Sequence, residues 1–258
     1  MTSRDLWTRK QLIIAFHLYC QIPFNKTVKT NLEVIRVANL IGRSPSALAR
    51  KLGNFGSFDP ELKKRGISGL SNVSKLDKQV WDEFHLDWEN LVVESEKLLQ
   101  KLSSETSTSL KSRDEEIGDI PSYSVEDKLV MSKAREGHTF FRNSVLASYQ
   151  YKCCITGLSI PELLVASHII PWSKDKSIRL NPQNGLCLNS LHDKAFDKGL
   201  LTITPNFKVI LSSRLCEIES DKAVQQFFYQ YSSDIKLPDK FIPKPEFLEY
   251  HNQNIFLG

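Results

Sequence analysis

The chain has no apolar run approaching the roughly 18 residues that a membrane helix requires, and its opening, MTSRDLWTRK, lacks the apolar core of a secretion signal. Both absences point to a cytoplasmic protein with no membrane partner. Cysteine is scarce as well: Cys20, Cys153, Cys154, Cys187 and Cys216 make five, an odd number without the regular spacing of a secreted disulfide scaffold. They read as free thiols. No internal repeat is present, which removes the solenoid and propeller classes. Acidic residues are few at one end: residues 1–65 carry twelve Lys or Arg against four Asp or Glu, a balance of +8, whereas the net charge of all 258 residues is only +4. The sign reverses over residues 77–119. Such asymmetry suggests a polyanionic partner for the N-terminal end.

What is present suits a soluble protein of two modest domains, with 41% hydrophobic and 25% charged residues. Short helices are predicted over 6–19, 32–41 and 45–52. The third has Ser44 as its cap and Pro45 in its first turn. Trp81, Phe84, Trp88, Leu91, Val92, Leu98, Leu99 and Leu102 recur at three- and four-residue steps and predict one long helix over 80–102. Residues 103–120, SSETSTSLKSRDEEIGDI, have the composition of a linker. The domains expected are therefore 1–102 and 131–258, joined by a linker over 103–130. In the second half a helix is expected near 136–149, strands near 163–168 and 185–188, a short helix over 190–197 ended by Gly199, and strands over 200–204 and 208–211. A tail over 238–258, rich in Pro and aromatics, is expected to pack across the domain.

In the basic N-terminal segment, VIRVANLIGRSPSALARKL sets Ala38 four residues before Gly42, the small residue and turn glycine that a helix-turn-helix needs for close approach. Its second helix would present Ser46, Arg50 and Lys51 outward with Arg43 beside it, a set able to meet the bases and phosphates of double-stranded DNA. A small helical hairpin with a solvated basic face has the same pattern.

Three pieces carry the second half: SHIIP ending in an apolar run, NGLCL, and LHDKAFDKGL. In this order they resemble the HNH nucleases, whose catalytic unit is the ββα-metal fold. REGHTFFRNSVLASYQYKCCITG is similar to the segment preceding this motif in the restriction-type branch of the family. WTRKQLIIAFHLY and GRSPSALARKL are similar to the N-terminal portion of such nucleases, so the resemblance spans about half the chain. Taken singly, a histidine is ordinarily a core or surface residue and Asn-Gly is ordinarily a hairpin turn. The resemblance implies an α+β protein, with a helical, helix-turn-helix-like N-terminal domain and a C-terminal ββα-metal HNH domain. It implies a metal-dependent endonuclease that hydrolyses DNA phosphodiesters to 5′-phosphate and 3′-hydroxyl ends, in the restriction of foreign or modified DNA.

The chemistry accounts for the residue types. An imidazole of ordinary pKa, about 6.5, accepts a proton from water near neutrality, which suits His168 as general base. His192 on the helix suits a divalent-metal ligand, the metal being Mg²⁺, Mn²⁺ or another transition ion. By resemblance, Asn184 holds the loop between the strands and orients the base. Where the family commonly has an acid or histidine before the base, this chain has Ser167, a weak ligand, and Asp193 or Asp197 is the neighbouring carboxylate that would compensate. A site leaning on imidazole favours Mn²⁺, Co²⁺ or Ni²⁺. The two CxxC pairs of zinc-ribbon relatives are absent: Gly157 follows Cys154 where a second cysteine would stand, and Leu188 and Leu191 occupy the pair before His192. Structural zinc is excluded on that ground. Arg142 and Arg179, with Arg135, are candidates for phosphate contact, and a structural role fits them as well. Trp172 reads as a core anchor. Double-strand cleavage would require two active sites and therefore a homodimer. Two rival functions stand beside this one: a non-catalytic DNA-binding protein with a decayed nuclease domain, for which Ser167 argues, and a nuclease toxin acting on RNA.

Overall fold

The computed structural model describes residues 6–66, 73–107, 125–231 and 233–258. The chain forms two compact units, one made of Met1–Tyr19, Asn25–Phe58 and Ser68–Phe140, the other of Cys20–Phe24, Asp59–Ile67 and Phe141–Gly258. The linker expected over 103–130 falls largely on residues 108–124, outside the described residues. Helix extends into both of its ends.

In the first unit, α1 (Arg9–Gln21) is apolar on nearly every side, and Leu12, Ile13, Ile14, Ala15, Phe16, Leu18 and Tyr19 are all buried. A helix of that kind belongs inside a core. The Phe16 ring lies 5.1 Å from Phe55, 5.4 Å from Trp81 and 6.1 Å from Trp88. Helices α2 (Leu32–Leu40) and α3 (Pro45–Gly56) are joined by a turn in which Gly42 takes φ +67°, a left-handed conformation open to glycine. Asn31 caps α2 and Ser44 caps α3 through the Ala47 amide, while Ala38, Leu48 and Leu52 are fully buried between the helices. A short α4 (Pro60–Lys64) belongs to the second unit.

The single helix expected over 80–102 is two, α5 (Lys75–Leu86) and α6 (Trp88–Ser107). Asp87 separates them at φ −143°, ψ 78°, and its carboxylate accepts the Asn90 amide at 3.0 Å. Asp thus caps a new helix in place of continuing the old one. Trp81, Phe84, Trp88, Leu91 and Val92 are buried on both sides of the break. The apolar period was correctly read, and its continuity was not. Helix α7 (Val125–Ser148) begins well before the expected start near residue 136.

In the second unit, β1 (Leu164–His168) pairs antiparallel with β2 (Gly185–Asn189), and α8 (Ser190–Asp197) follows directly. A second hairpin, β3 (Leu201–Ile203) with β4 (Val209–Leu211), comes next, then α9 (Ser213–Glu217), α10 (Lys222–Phe227) and α11 (Pro245–Asn254). Leu186, Cys187 and Leu188 are fully buried, so β2 is the covered strand of the motif. The tail packs on this unit through His251. Its Nε2–H donates to the Phe196 carbonyl, its Nδ1 accepts from the Thr202 hydroxyl, and its ring stacks on Phe196 at 3.6 Å. The protein is α+β, with a helical first unit and the ββα element in the second. Among the described residues no helix is long and apolar enough to cross a membrane.

Candidate active site

The register of the β1–β2 pair sets His168 opposite Gly185. A Cβ at Gly185 would lie 2.3 Å from Val145 Cγ2 and 2.9 Å from Phe141 Cζ, so only glycine lets α7 come this close. The consequence reaches His168, whose ring stacks on Phe141 with centroids 3.8 Å apart and planes 9° apart. Its Nε2 sits 2.9 Å from the Arg179 carbonyl. A carbonyl only accepts, so Nε2 carries the proton and Nδ1 the lone pair. A ring held between a carbonyl and an aromatic face, with its lone pair on the other nitrogen, is competent as a base.

Asn184 is fully buried and does not touch the histidine. Its amide oxygen accepts the Ile170 N–H at 2.9 Å, its amide nitrogen donates to the Ile170 carbonyl at 3.0 Å, and its own carbonyl accepts the Ile169 N–H at 3.0 Å. It fastens the two residues after His168 to the start of β2, and acts on the histidine through the chain.

Helix α8 separates the remaining candidates. Asn189 caps it by accepting the His192 amide at 2.9 Å, and its oxygen lies 3.0 Å from His192 Nδ1. The Asn189 NH₂ donates to Thr156, which fixes the amide and makes Nδ1 the protonated nitrogen of His192. Its Nε2 is buried and makes no hydrogen bond of standard geometry. The ring faces Phe228 at 5.5 Å and Tyr231 at 6.0 Å, beside a cavity of about 690 Å³ that Leu163, Leu191 and Phe227 help to line. Burial lowers its pKa, partly offset by the Phe227 carbonyl.

Asp193 and Asp197, one turn apart, interact with each other, and Asp193 also interacts with Ser167. Burial raises the pKa of both. The Ser167 hydroxyl and the Lys194 charge oppose it at Asp193, where Asp197 adds to the rise, and Lys194 and Lys198 oppose it at Asp197. Ser167 is 2% exposed, and its hydroxyl has no hydrogen bond of standard geometry.

Among the described residues no three His, Cys, Asp or Glu side chains converge as a metal-binding group. Adjacent helical residues point about 100° apart, so the turn that brings the two acids to one face carries His192 off it. The donors on that face are two mutually repelling carboxylates and the Ser167 hydroxyl. They are hard oxygen ligands of the kind that hold Mg²⁺ or Mn²⁺ with water completing the set.

The expected DNA-contacting cations also divide. Lys51 is 8% exposed and donates to both Asp77 oxygens, at 2.8 and 2.9 Å, inside the first unit. Arg43 donates to the Leu6 carbonyl and Gln11 while stacked on Trp7. Arg142 donates to the carbonyls of Leu164 and Pro161. These three are used in holding the fold, each donating to an acceptor of the same unit. Ser46 and Arg50 remain exposed on α3. Arg179 is half-buried with its guanidinium 4.9 Å above the Trp172 ring, so Trp172 is less an anchor of the core than a platform.

Residues 153–204, which contain β1, β2, α8 and β3, match the family model described as HNH endonuclease. Over that stretch the chain is similar to the HNH endonucleases. No curated protein matches the chain. Sequence reasoning singled out His168, Asn184 and His192, and missed Phe141, the Arg179 carbonyl and Asn189. Only Asn189 had a local signal, as an N-cap residue just before the predicted helix.

Proposed function

We propose that the protein is a metal-dependent endonuclease that hydrolyses phosphodiester bonds of double-stranded DNA, acting in restriction of foreign DNA. The observation that carries this reading is the His168 ring, whose Nε2–H donates to the Arg179 carbonyl so that the lone pair lies on Nδ1, next in the chain to Ser167, which interacts with Asp193. His168 Nδ1 takes a proton from water as the water oxygen bonds to phosphorus. The P–O bond to the 3′ oxygen breaks, that oxygen takes a proton from solvent water, and the products are a 5′-phosphate and a 3′-hydroxyl. Asp193, Asp197 and Ser167 would hold the divalent cation, which supplies charge neutralisation at the phosphoryl and leaving oxygens when bound. Asn184 keeps the base in place by fastening Ile169 and Ile170. His192 braces α8 against Phe228 and Tyr231. Ser46 and Arg50 of α3 would contact DNA from the first unit.

His168→Ala tests the assignment with plasmid DNA in Mg²⁺ and Mn²⁺. Cleavage should fall by about 10²-fold or more while DNA binding in EDTA is retained. Unchanged cleavage removes His168 as base. Ser167, in place of an acid, favours a second reading, a DNA-binding protein that no longer cuts. A wild-type protein that binds duplex and fails to cleave it with any divalent metal would establish that reading instead.

A further inference from the structure

Arg179 has two ends with separate tasks. Its carbonyl accepts the His168 Nε2–H at 2.9 Å, and its guanidinium lies 4.9 Å over the ring of Trp172, which stands nearly perpendicular to the His168 ring with centroids 5.5 Å apart. The guanidinium has no hydrogen-bond acceptor among the described residues, and its Nε is sealed from water without a partner. Asp175, a carboxylate that interacts with it electrostatically, is bound by the amide and hydroxyl of Ser177 at 2.8 and 2.7 Å. Arg9, Arg43, Arg65 and Arg142 all have carbonyl, carboxylate or amide oxygens to meet. A guanidinium offers five donors in a rigid plane, a fork matched to two oxygens of one phosphate. Stacking on Trp172 holds that plane without using any donor.

We propose that Arg179 grips the phosphodiester that is cut, with Trp172 holding its plane, so that one residue positions both the base and the phosphate. This rests on the nuclease reading above, and it assigns to Arg179 a specific task at the reacting group. The shared Trp172 ring carries the geometry: the guanidinium lies over it and the imidazole lies beside it, so a phosphate on the first is set near the second.

The test uses the full chain, with duplex binding measured against salt in EDTA and cleavage kinetics measured with metal. Arg179→Ala should reduce the slope of log Kd against log salt by about one, the loss of a single phosphate contact. It should also lower kcat by about tenfold to a hundredfold. Arg179→Lys should keep the slope but recover only part of kcat, because an ammonium lacks the fork. Trp172→Leu should keep the slope and raise KM severalfold, and Trp172→Phe should restore KM. Melting curves identify any variant that is simply unfolded, and the Lys and Phe variants then carry the test. If slope and kcat are unchanged in Arg179→Ala, the proposal is overturned. If the slope falls but the wild type cuts nothing, the phosphate contact stands and the nuclease reading fails. A wild type that ignores duplex at low salt overturns both.

Discussion

Asp193 and His192 are neighbours in the chain with opposite surroundings, and the difference predicts different behaviour. Asp193 shares its face of α8 with Asp197 and Ser167. His192 lies among aromatic rings with Nδ1–H committed to Asn189. Asp193→Asn should raise the Mg²⁺ concentration needed for half-maximal cleavage by about tenfold or more, since a neutral amide is a weaker ligand for a hard cation. His192→Phe, an aromatic replacement in an apolar setting, should leave the metal requirement unchanged and act on stability alone. A metal titration in which the His192 variant moves and the Asp193 variant does not would return the imidazole to the ligand set. His168 and Asn184 were identifiable in sequence because their motifs have a fixed order. The partition at α8 was not, since two adjacent polar residues are equivalent candidates until a helix turns them apart.

At the scale of the element, α3 carries the clearest division between fold and function. Lys51 and Arg50 are adjacent, both cationic, and both candidates for DNA. Lys51 forms a buried ion pair with Asp77, which also accepts from Asn54 Nδ2 and from the Ser74 amide. Lys51→Ala would leave the Asp77 carboxylate buried without its cation and should destabilise the protein by about 3–5 kcal/mol in denaturant unfolding. Arg50→Ala, on the exposed face, should not change the unfolding midpoint, and should weaken duplex binding with a shallower salt dependence. Equal effects of the two variants on stability would refute the burial of Lys51. The helix and its cap were legible from Ser44 and Pro45. Which basic residue faces solvent depended on Asp77, and nothing near Lys51 in the chain marks that distant partner. The same limit explains Asp87: spacing of apolar residues registers which side of a helix is buried, and it carries straight over a break that keeps the phase.

At the scale of the whole molecule, Lys240 ties distant segments of the second unit together. It is fully buried and donates to the Ile22 carbonyl at 2.8 Å and the Cys20 carbonyl at 3.4 Å. Burial lowers its pKa to about 8, against the opposing pull of Cys20, Asp59 and Asp239. The folded state thus releases this proton at lower pH than the unfolded chain, where lysine titrates near 10.4. Between these values the unfolded state binds more protons, so this group makes folding more favourable as pH rises from about 8 to about 10.4. The gain is on the order of 3 kcal/mol. Below that window both states hold the proton and the cost of burying the charge is constant. Denaturant unfolding of wild type and Lys240→Met at pH 7, 8.5 and 10 should show the wild type gaining relative to the variant across the series. Parallel profiles would mean that Lys240 titrates as an ordinary exposed lysine.

The sequence by itself determined the local and the ordered: capped helices at Asn31 and Ser44, a strand ending in His168, an Asn-Gly start to its partner, and a helix carrying His192, Asp193 and Asp197. Each is encoded within a few residues, by side chains that bond to their own backbone or repeat with the period of the element. Only the tertiary structure decided which of these polar groups remain available for chemistry. Phe141 lies beneath His168 because Gly185 leaves room for it. Arg179 presents its carbonyl to the base because its loop folds back on Trp172. Lys51, Arg43 and Arg142 are bound to acceptors brought from far along the chain. A hydrogen bond between residues tens of positions apart leaves no local pattern, yet it determines whether a cation holds the fold or is free to meet a phosphate.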